Sequence, residues 1–496
     1  MNLYSHLKKQ KSLKIISEDC KFIDVPKLDK IVVDNNNILS NFGIKKNDVI
    51  GIVLENGIDF ITTFLSVINK SIAAPLNPNY SIREFDFYYT DLKPKIIITN
   101  FNKDHAALKC ARKKKIRILN IKNFVLYAKG NLGKKPSNKY PKPTLSDTAL
   151  ILHTSGTTSR PKMVPLSHRN LLKSAYNISV SLKLRKKDKN IILMPSFHIH
   201  GIVASIIAPL FKGAQVVALP KFNVLNFYNY LSIHNPTWFT AVPTMLQSIV
   251  DRSKNNKNII KLNKLRFIRS SSASLPSNTL KEVENIFKVP VIESYGMTEA
   301  SHQMTTNLLP PYKRKIGSVG VAVGLEVKIV NSNFDRLKPY EVGEIVIKGN
   351  NVISKYLANK EININSFHKN WFKTGDLGYL DSDNCLFITG RIKEIINRGG
   401  EKISPKEVDD IFIKHSKVAK AISFAIEHPK LGEDIALAIV LKENKQCVAS
   451  ELKDFAKNKI ASFKIPKKIY FLKSIPLGAT GKIQRIGLAK KLGIEK

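Results

Sequence analysis

The sequence predicts an α/β protein in which layered, mostly parallel sheets form a large N-terminal domain and a smaller α+β domain follows. Three observations support this prediction. The chain has 496 residues, too many for a single core, and 43% of them are hydrophobic, enough for a sizeable interior. Short β-rich runs alternate with helical patterns along most of the chain. Beyond Gly343 the predicted strands come close together, with turn residues between them.

Apolar runs predict the strands of the N-terminal domain. The run "DVIGIVLEN" at residues 48–56 is the first, and the segment after it places Phe60, Phe64, Val67 and Ile68 on one face of a helix. The same reasoning predicts further strands, which are "KIIITN", "ALILH", "AQVVAL", "TWFTAV", "LRFIRS" and "VPVIESYG". Because helical patterns separate these runs, we expect most of the strands to pair in parallel.

One helix has a clear start signal in the sequence. Ser167 can cap it, and Leu171, Ala175, Ile178 and Leu182 then lie on one side of it. The apolar side is expected to pack on a sheet.

From Gly343 onwards the predicted strands follow one another more closely along the chain. The runs "GEIVIKG" and "CLFITG" are closely spaced strands, and "DIALAIVL" and "KIYFL" are strands of a small α+β tail. The charged segment "GRIKEIINRGGEKISP" lies between the two groups. We place the boundary at Lys393, which gives an N-terminal domain over residues 1–392 and a C-terminal domain over 393–496. Residues 129–143 are a surface linker on composition.

Composition also indicates the compartment. The N-terminal segment has lysines where an export signal would be apolar, and the four cysteines are scattered without a CxxC pair. The most apolar segment, residues 201–219, contains a proline, a lysine and a glycine, and it predicts buried elements instead of a membrane span. We therefore expect a cytoplasmic protein, as a monomer or homodimer.

The formal net charge of +41 raises the question of nucleic acid. The lysines are spread along the whole chain, without an aromatic-rich basic stripe, a helix-turn-helix pattern or a zinc finger. The charge is therefore expected on solvated faces, where it can attract anionic small molecules. We expect small-molecule partners and no nucleic acid.

A hydroxyl-rich loop follows the strand "ALILH". It lies in "LHTSGTTSRPKMVPLSH", residues 152–168. Main-chain amides of such a loop form a concave site for an anion, hydroxyls add donors, and a lysine adds a positive charge. The second glycine and the Gly-Lys-Ser/Thr ending of a P-loop are absent, and a solvated surface loop is the alternative for this segment alone. The candidate phosphate-binding residues are Thr154, Ser155, Gly156, Thr157, Thr158 and Lys162.

Four more motifs follow in a fixed order: "ESYGMTEASH", "WFKTGDLGYL", "GRIKEIINRGGEKISP" and "GATGKIQR". Each one alone can be a turn, a cap or a solvated charge cluster. All five together, from about Gly51 to Arg485, resemble the adenylate-forming superfamily of acyl-CoA synthetases, luciferases and peptide-synthetase adenylation domains. The resemblance implies a large N-terminal domain that includes a β-barrel-like part, and a small mobile C-terminal domain.

The resemblance also implies a reaction in two steps. A carboxylate attacks the α-phosphate of ATP, with Mg²⁺ present, and gives an acyl-adenylate and pyrophosphate. The thiol of coenzyme A then displaces AMP, which is a far better leaving group than an oxide-like oxygen. Since the first step joins two anions, positive charge is needed at the transition state.

Site residues are assigned from their places in the matching motifs. The resemblance implies that Thr298 contacts the α-phosphate, Glu299 binds Mg²⁺, Tyr295 stacks on adenine, and Asp376, supported by Arg391, accepts hydrogen bonds from the ribose. The other implied nucleotide-binding residues are Ser272, Ala273 and Glu293.

Further implied roles belong to the C-terminal part and to the thiol. Lys482 bridges the acid and the α-phosphate during adenylation, and Lys393 is the hinge of the mobile domain. His198, in "FHIHG", gates the approach of the thiol. The residues implied to line the thiol tunnel are Gly399, Gly400 and Glu401.

Three positions depart from the usual family pattern. Ser159 and Met163 stand where glycine is common, and Thr480 replaces a serine before the lysine. Serine is compatible with a negative φ at position 159, and the threonine is conservative. Met163 adds bulk at the exit of the phosphate loop, which the sequence does not explain.

The stretches "LHTSGTTSRPK", "FHIHG", "TWFTAVPT", "RFIRSSSASL", "MTEASHQM" and "NRGGEKISP" look nearest to the oxalate–CoA ligase branch. A second carboxylate on the acid must be met by donors, because its desolvation costs several kcal/mol otherwise. The expected pocket wall offers Ser270, Ser272, His302 and His198. Oxalate or a similar small diacid is favoured; a medium-chain fatty acid and an aryl acid such as a cinnamate are the alternatives.

Rival functions from other classes remain open at this point. A P-loop phosphotransferase would release phosphate instead of pyrophosphate. A basic nucleic-acid-binding protein with decayed motifs is disfavoured by the intact Glu299, Asp376, Arg391 and Lys482. Transfer of the acyl group to a carrier protein uses the same pantetheine thiol, and the lack of an attached carrier domain favours coenzyme A.

Overall fold

The computed structural model describes residues 2–127, 141–154, 161–357, 360–476 and 484–495. Its contacts divide the chain into two compact units. The first contains the residues up to Thr154, then Lys162–Glu326 and Lys348–Asn365; the second contains Val327–Ile347 and the chain from Ser366 onwards. The second unit thus includes residues on both sides of Lys393, and the domain boundary there stays a prediction. Most of the linker predicted at residues 129–143 lies outside the described residues.

The largest sheet of the first unit has nine strands and carries most of the candidate site. Its five central pairs are parallel, as predicted, and its edge pairs are antiparallel. In sheet order the strands are Val321–Ala322, His302–Thr306, Val291–Met297, Phe267–Ser270, Trp238–Ala241, Lys189–Ile191, Gln215–Ala218, Lys14–Ser17 and Phe22–Ile23.

A second sheet of the first unit has seven strands and ends at the phosphate-loop strands. In sheet order they are Val125–Tyr127, Arg117–Lys122, Ile96–Thr99, Val49–Val53, Ile72–Pro75, Thr148–Thr154 and Lys162–Ser167. The last two strands pair antiparallel, so that Thr154 lies opposite Lys162 across the residues that connect them.

Helices lie between the strands of the first unit, and their ranges are Leu3–Leu7, Val25–Asn41, Ile58–Ile68, Ile82–Leu92, Ala106–Lys113, His168–Ser181, Ala208–Phe211, Val224–His234, Pro243–Asp251, Lys257–Lys261, Ser277–Phe287 and Lys360–Ser366. The last one ends in the second unit. Short 3₁₀ turns cover Ser253–Asn256 and Thr298–Ala300, and a π-helix covers His200–Ile207. None of the helices in the described ranges is long and apolar enough to cross a membrane.

Two helix predictions can be compared with this structure. The start signal at Ser167 is confirmed, because its hydroxyl accepts the N–H of Asn170 at 3.1 Å and the helix begins at the next residue. The helix predicted after residue 56 is also present as Ile58–Ile68. Phe60, Phe64, Val67 and Ile68, which the sequence places on one face, are all buried. Burial extends to every residue of the helix except Asp59, so neighbouring elements pack on more than that face.

The second unit contains two five-stranded sheets. The strands of one are Glu326–Val330, which begins in the first unit, Gly343–Lys348, Phe367–His368, Trp371–Leu380 and Leu386–Arg391. The other consists of Glu401–Ile403, Ile396–Arg398, Gly432–Leu441, Val418–His428 and Lys468–Phe471. Helices Pro405–Phe412, Ala449–Lys457 and Leu488–Lys491 and 3₁₀ turns Ile392–Glu394 and Ser462–Lys464 complete the predicted α+β part.

Candidate active site

Three neighbouring parallel strands of the nine-stranded sheet reach one edge at Ala241, Ser270 and Glu293. Ala241 is in register with Ser270, and Ser270 is in register with Glu293. Ligands of α/β proteins bind at this carboxyl edge, because the loops that leave it are free to vary. The predicted site residues of "RSSSASL" and "ESYGMTEASH" are therefore brought together at one edge.

A buried guanidinium lies at the centre of this edge. Arg269 has no exposed surface, and its Nη1 lies 3.1 Å from Nε2 of His302 and 3.4 Å from Nε2 of His200. The same nitrogen donates to the Thr240 hydroxyl at 3.2 Å, and Nη2 donates to Oε1 of Gln303 at 3.2 Å. Arg269 is not among the predicted site residues, because a strand residue before a serine run carries no motif signal.

The two histidines of this network stack on one another. Their ring centroids are 4.6 Å apart with an angle of 21° between the planes. His200 also contacts the Thr240 hydroxyl at 2.6 Å through Nε2 and the Ser272 hydroxyl at 3.0 Å through Nδ1. Ser272 is half-buried, so this chain of contacts runs from the buried guanidinium towards the surface of the unit.

Arg269 is a buried cation that forms no ion pair within the described residues. No carboxylate in the described part of the chain pairs with it, and its Nε has no hydrogen-bond partner there. Burial lowers the pKa of the guanidinium to about 9, because the charged form loses its hydration. An anion bound at the histidines would compensate this charge, so the network is an anion-attracting site.

The predicted acid-pocket residues lie at or beside this network. His302 takes part directly, Ser272 forms its outer end, and Ser270 has a fully buried hydroxyl without a partner among the described residues. His198 is half-buried, and its ring centroid lies 4.5 Å from that of Phe197. The motif "FHIHG" contains two histidines, and the structure places the second one, His200, in the network.

Unusual backbone geometry maintains this arrangement. His302 has a φ of 97° and Ser272 a φ of 73°, both in the left-handed region that side chains disfavour. Gly296 lets the chain turn back, because a Cβ there would lie 1.9 Å from the carbonyl oxygen of His302. His200 begins a π-helix, a form that is frequent at functional sites.

The residues predicted to contact the nucleotide at this edge differ in how deeply they are buried. Tyr295 and Thr298 are half-buried, and Ala273 is exposed. Glu293 is buried, and its Oε1 accepts the N–H of Leu275 at 3.0 Å, which holds the serine loop against its strand. This contact gives Glu293 a structural role that the sequence did not indicate, and its binding role stays a prediction.

The candidate Mg²⁺ ligand is a buried carboxylate. Glu299 is 6% exposed, and its Oε1 accepts the Tyr356 hydroxyl at 2.6 Å. It makes no salt bridge with any described cation. Burial, together with this carboxylate, raises the pKa of the tyrosine, which therefore stays a neutral donor. An oxygen ligand held by a neutral donor fits a hard cation such as Mg²⁺.

The phosphate-loop strands are tied to their surroundings by two contacts. His153, which precedes Thr154, lies 2.8 Å from a carboxylate oxygen of Asp91, and both side chains are buried. The ammonium of Lys162 lies 4.7 Å from the centre of the Tyr356 ring. The predicted phosphate-binding residues Ser155, Gly156, Thr157 and Thr158, and also Ser159, lie outside the described residues.

In the second unit, Asp376 and Arg391 form an ion pair. They are in register on adjacent strands, and the Nε of Arg391 lies 2.8 Å from Oδ1 of Asp376. The aspartate side chain is 4% exposed and the arginine side chain 49% exposed. The buried carboxylate is therefore held in place by a guanidinium at the surface of the unit. The expected support of Asp376 by Arg391 is present as a contact, and the ribose role stays a prediction.

The other predicted residues of the second unit lie on exposed segments. Lys393 belongs to the turn Ile392–Glu394. Gly399 and Gly400 have φ values of 58° and 96° and, with Glu401, connect two short antiparallel strands. Lys482 and Thr480 lie outside the described residues. The hinge, tunnel and bridging roles therefore stay predictions.

Comparison with known proteins agrees with this fold. Residues 28–357 match the AMP-binding enzyme family, and residues 407–482 match the C-terminal domain of AMP-binding enzymes. Together with the layered sheets, these matches define an ATP-dependent, AMP-forming ligase. The chain belongs to the AMP-binding enzyme family. It is an acid–CoA ligase of this family, and such enzymes use ATP, Mg²⁺ and coenzyme A.

Individual relatives cover nearly the whole chain. An oxalate–CoA ligase from Arabidopsis thaliana is 40% identical over 464 residues, which cover 90% of this chain and 89% of that protein. An oxalate–CoA ligase from Saccharomyces cerevisiae is 40% identical over 475 residues, with coverage of 90% and 87%. The O-succinylbenzoate coenzyme A synthetase of Bacillus subtilis, solved with ATP and magnesium ion, has a TM-score of 0.85 at 28% identity, with coverage of 98% and 99%.

Proposed function

We propose that the acid activated by this ligase is oxalate or a similarly small dicarboxylic acid. The observation that supports the proposal most is the buried Arg269, which pairs with no carboxylate of the described ranges and reaches the histidines His200 and His302. The names of the relatives from Arabidopsis thaliana and Saccharomyces cerevisiae point to the same substrate.

The charge of the acid distinguishes this substrate from the alternatives. The second carboxylate of a diacid stays ionised, and moving it out of water costs several kcal/mol unless donors and positive charge meet it. The stacked histidines and the Ser272 hydroxyl offer donors, and Arg269 supplies the charge behind them. A fatty acid or a cinnamate would bring an apolar chain or ring to these groups and leave them without partners. The contacts of His302 therefore favour the diacid.

The first step of the proposed reaction takes place at the α-phosphate of ATP. A carboxylate oxygen forms a bond to phosphorus while the bond to the β-phosphate oxygen breaks, and pyrophosphate leaves with that electron pair. Thr298 and Lys162 are proposed to hold phosphate oxygens, and Tyr295 to stack on adenine. Mg²⁺, when bound at Glu299, neutralises phosphate charge and so lowers the repulsion between the two anions. Lys482 is proposed to bridge the two reacting groups.

The second step forms the thioester. The coenzyme A thiolate attacks the acyl carbon, the bond to the phosphate oxygen breaks, and AMP leaves with the electron pair. We propose that Asp376, held by Arg391, retains the ribose through both steps. His198 is proposed to gate the thiol, Lys393 to act as the hinge, and the exposed turn from Gly399 to Glu401 to line the thiol path.

The proposal is tested by measuring pyrophosphate release with ATP, Mg²⁺ and coenzyme A over oxalate, malonate, octanoate and cinnamate. We expect the highest kcat/KM with oxalate and an oxalyl thioester as product. A preference for octanoate or cinnamate would refute the diacid assignment. Lys482→Ala is expected to abolish adenylation of every acid, which separates enzyme turnover from background hydrolysis. A carrier protein as acceptor would be indicated by adenylate that accumulates in the presence of coenzyme A. A cytoplasmic location and a monomeric or homodimeric state remain part of the proposal.

A further inference from the structure

We propose that Tyr356 is a positioning residue that holds the Mg²⁺ ligand Glu299 and the phosphate ligand Lys162 in a fixed relation for MgATP. The inference rests on the proposed roles of those two residues at the nucleotide. Tyr356 belongs to the segment from Asn351 to Leu357, which no motif of the sequence analysis included.

The hydroxyl of Tyr356 fixes the carboxylate. It donates to Oε1 of Glu299 at 2.6 Å, and both side chains are buried. A hydrogen bond to an ionised acceptor is short and strong, and it orients the carboxylate plane. The carboxylate would therefore meet a bound metal in a fixed orientation. Groups that orient a metal ligand in this way also raise the affinity for the metal.

The ring of the same tyrosine contacts the phosphate lysine. The ammonium of Lys162 lies 4.7 Å from the ring centroid, within the range of a cation–π interaction. One side chain thus contacts the proposed cationic ligand with its face and the proposed anionic ligand with its hydroxyl. Lys162 belongs to the seven-stranded sheet and Glu299 to the 3₁₀ turn between two strands of the nine-stranded sheet, so local sequence does not set their separation.

Main-chain hydrogen bonds hold this segment against both elements. The N–H of Ile353 donates to the carbonyl of Glu299 at 2.8 Å, and the N–H of Leu357 donates to the carbonyl of Met163 at 3.1 Å. Met163 and Leu357 also pack together on the apolar cluster of the seven-stranded sheet. Met163 thus holds the segment that carries Tyr356 through its main-chain carbonyl, and its side chain packs on the same cluster as Leu357.

The test is calorimetric binding of ATP at increasing Mg²⁺ concentration, without acid or coenzyme A. We expect Tyr356→Phe to raise the Mg²⁺ concentration needed for tight ATP binding by about 10- to 100-fold, the effect usual for removing a group that orients a metal ligand. Affinity for ATP without metal should not change, since the ring over Lys162 remains. Tyr356→Leu removes the ring as well and should weaken ATP binding without metal too. Tyr228→Phe is the matched control, because it removes an equally buried hydroxyl that donates at 2.6 Å to the carbonyl of Ile249.

A Mg²⁺ requirement of Tyr356→Phe equal to that of the wild type would overturn the inference. If Tyr356→Phe is less stable, a double-mutant cycle with Glu299→Gln still decides. A positioning effect acts through Glu299 and disappears in the Glu299→Gln background, whereas a general loss of structure adds to it. Since no acid is present, a wrong choice of acid substrate leaves this result unaffected.

Discussion

Replacing Arg269 by methionine tests the basis of the substrate proposal. Methionine is an apolar side chain of similar reach without the charge, so the change removes the cation behind the histidines and leaves most of the packing. The nearest histidine nitrogen, Nε2 of His302, is 3.1 Å from Nη1. A carboxylate that accepts a hydrogen bond on the far side of that ring lies about 8 Å from the guanidinium.

The size of the effect follows from this geometry. At an effective dielectric constant of about 20, two unit charges about 8 Å apart attract each other by about 2 kcal/mol. If this attraction stabilises the transition state of adenylate formation, Arg269→Met lowers kcat/KM for oxalate by about 30-fold. An acid without a second carboxylate loses no such interaction, so its kcat/KM is expected to change little.

The assay is pyrophosphate release under kcat/KM conditions, with oxalate and with a short monocarboxylic acid, for wild type, Arg269→Met and Arg269→Lys. Arg269→Lys keeps a charge and is expected to retain part of the preference for oxalate. Equal losses with both acids for Arg269→Met would refute the reasoning, because they would indicate general damage to the site. An unchanged preference would show that the guanidinium does not act on the substrate. Thermal unfolding of each variant distinguishes these outcomes from loss of fold.

Three further changes have expected outcomes. Burial lowers the pKa of His168 to about 4, below its unfolded value, so between about pH 4 and 6.5 the unfolded chain binds more protons than the folded one. The free energy of unfolding should therefore fall by on the order of 3 kcal/mol as the pH falls through that window. Urea unfolding at several pH values checks this, and His168→Gln should flatten the profile. Arg485 pairs with Glu394 and with the buried Asp409. Arg485→Met should therefore lower the free energy of unfolding of the second unit by about 3–5 kcal/mol, measured by urea unfolding, and adding Asp409→Asn should recover part of that loss. Met163→Gly should lower stability by about 1–2 kcal/mol through lost packing, and thermal unfolding that matches the wild type would contradict the packing role given to this residue.

Much of the fold follows from local patterns. Apolar runs such as "LRFIRS" and "VPVIESYG" predicted strands that the structure contains as Phe267–Ser270 and Val291–Met297. The cap at Ser167 is equally local, since one hydroxyl and the next three residues define it. The helix Ile58–Ile68 follows from the spacing of its apolar residues, whereas its burial on nearly all sides depends on the elements packed around it.

The candidate site likewise contains residues that local motifs indicate and contacts that only the fold creates. By itself the sequence determined the order of the strands and helices along the chain and the motifs with their candidate residues, because each depends on neighbours a few positions away. Only the tertiary structure decided that Arg269 reaches His302, that the second histidine of "FHIHG" belongs to their network, and that Tyr356 contacts both Glu299 and Lys162. These contacts join residues between 33 and 194 positions apart. Their geometry depends on which strands pair and where the chain turns back, and burial then sets the charge and hydrogen-bonding state of each group.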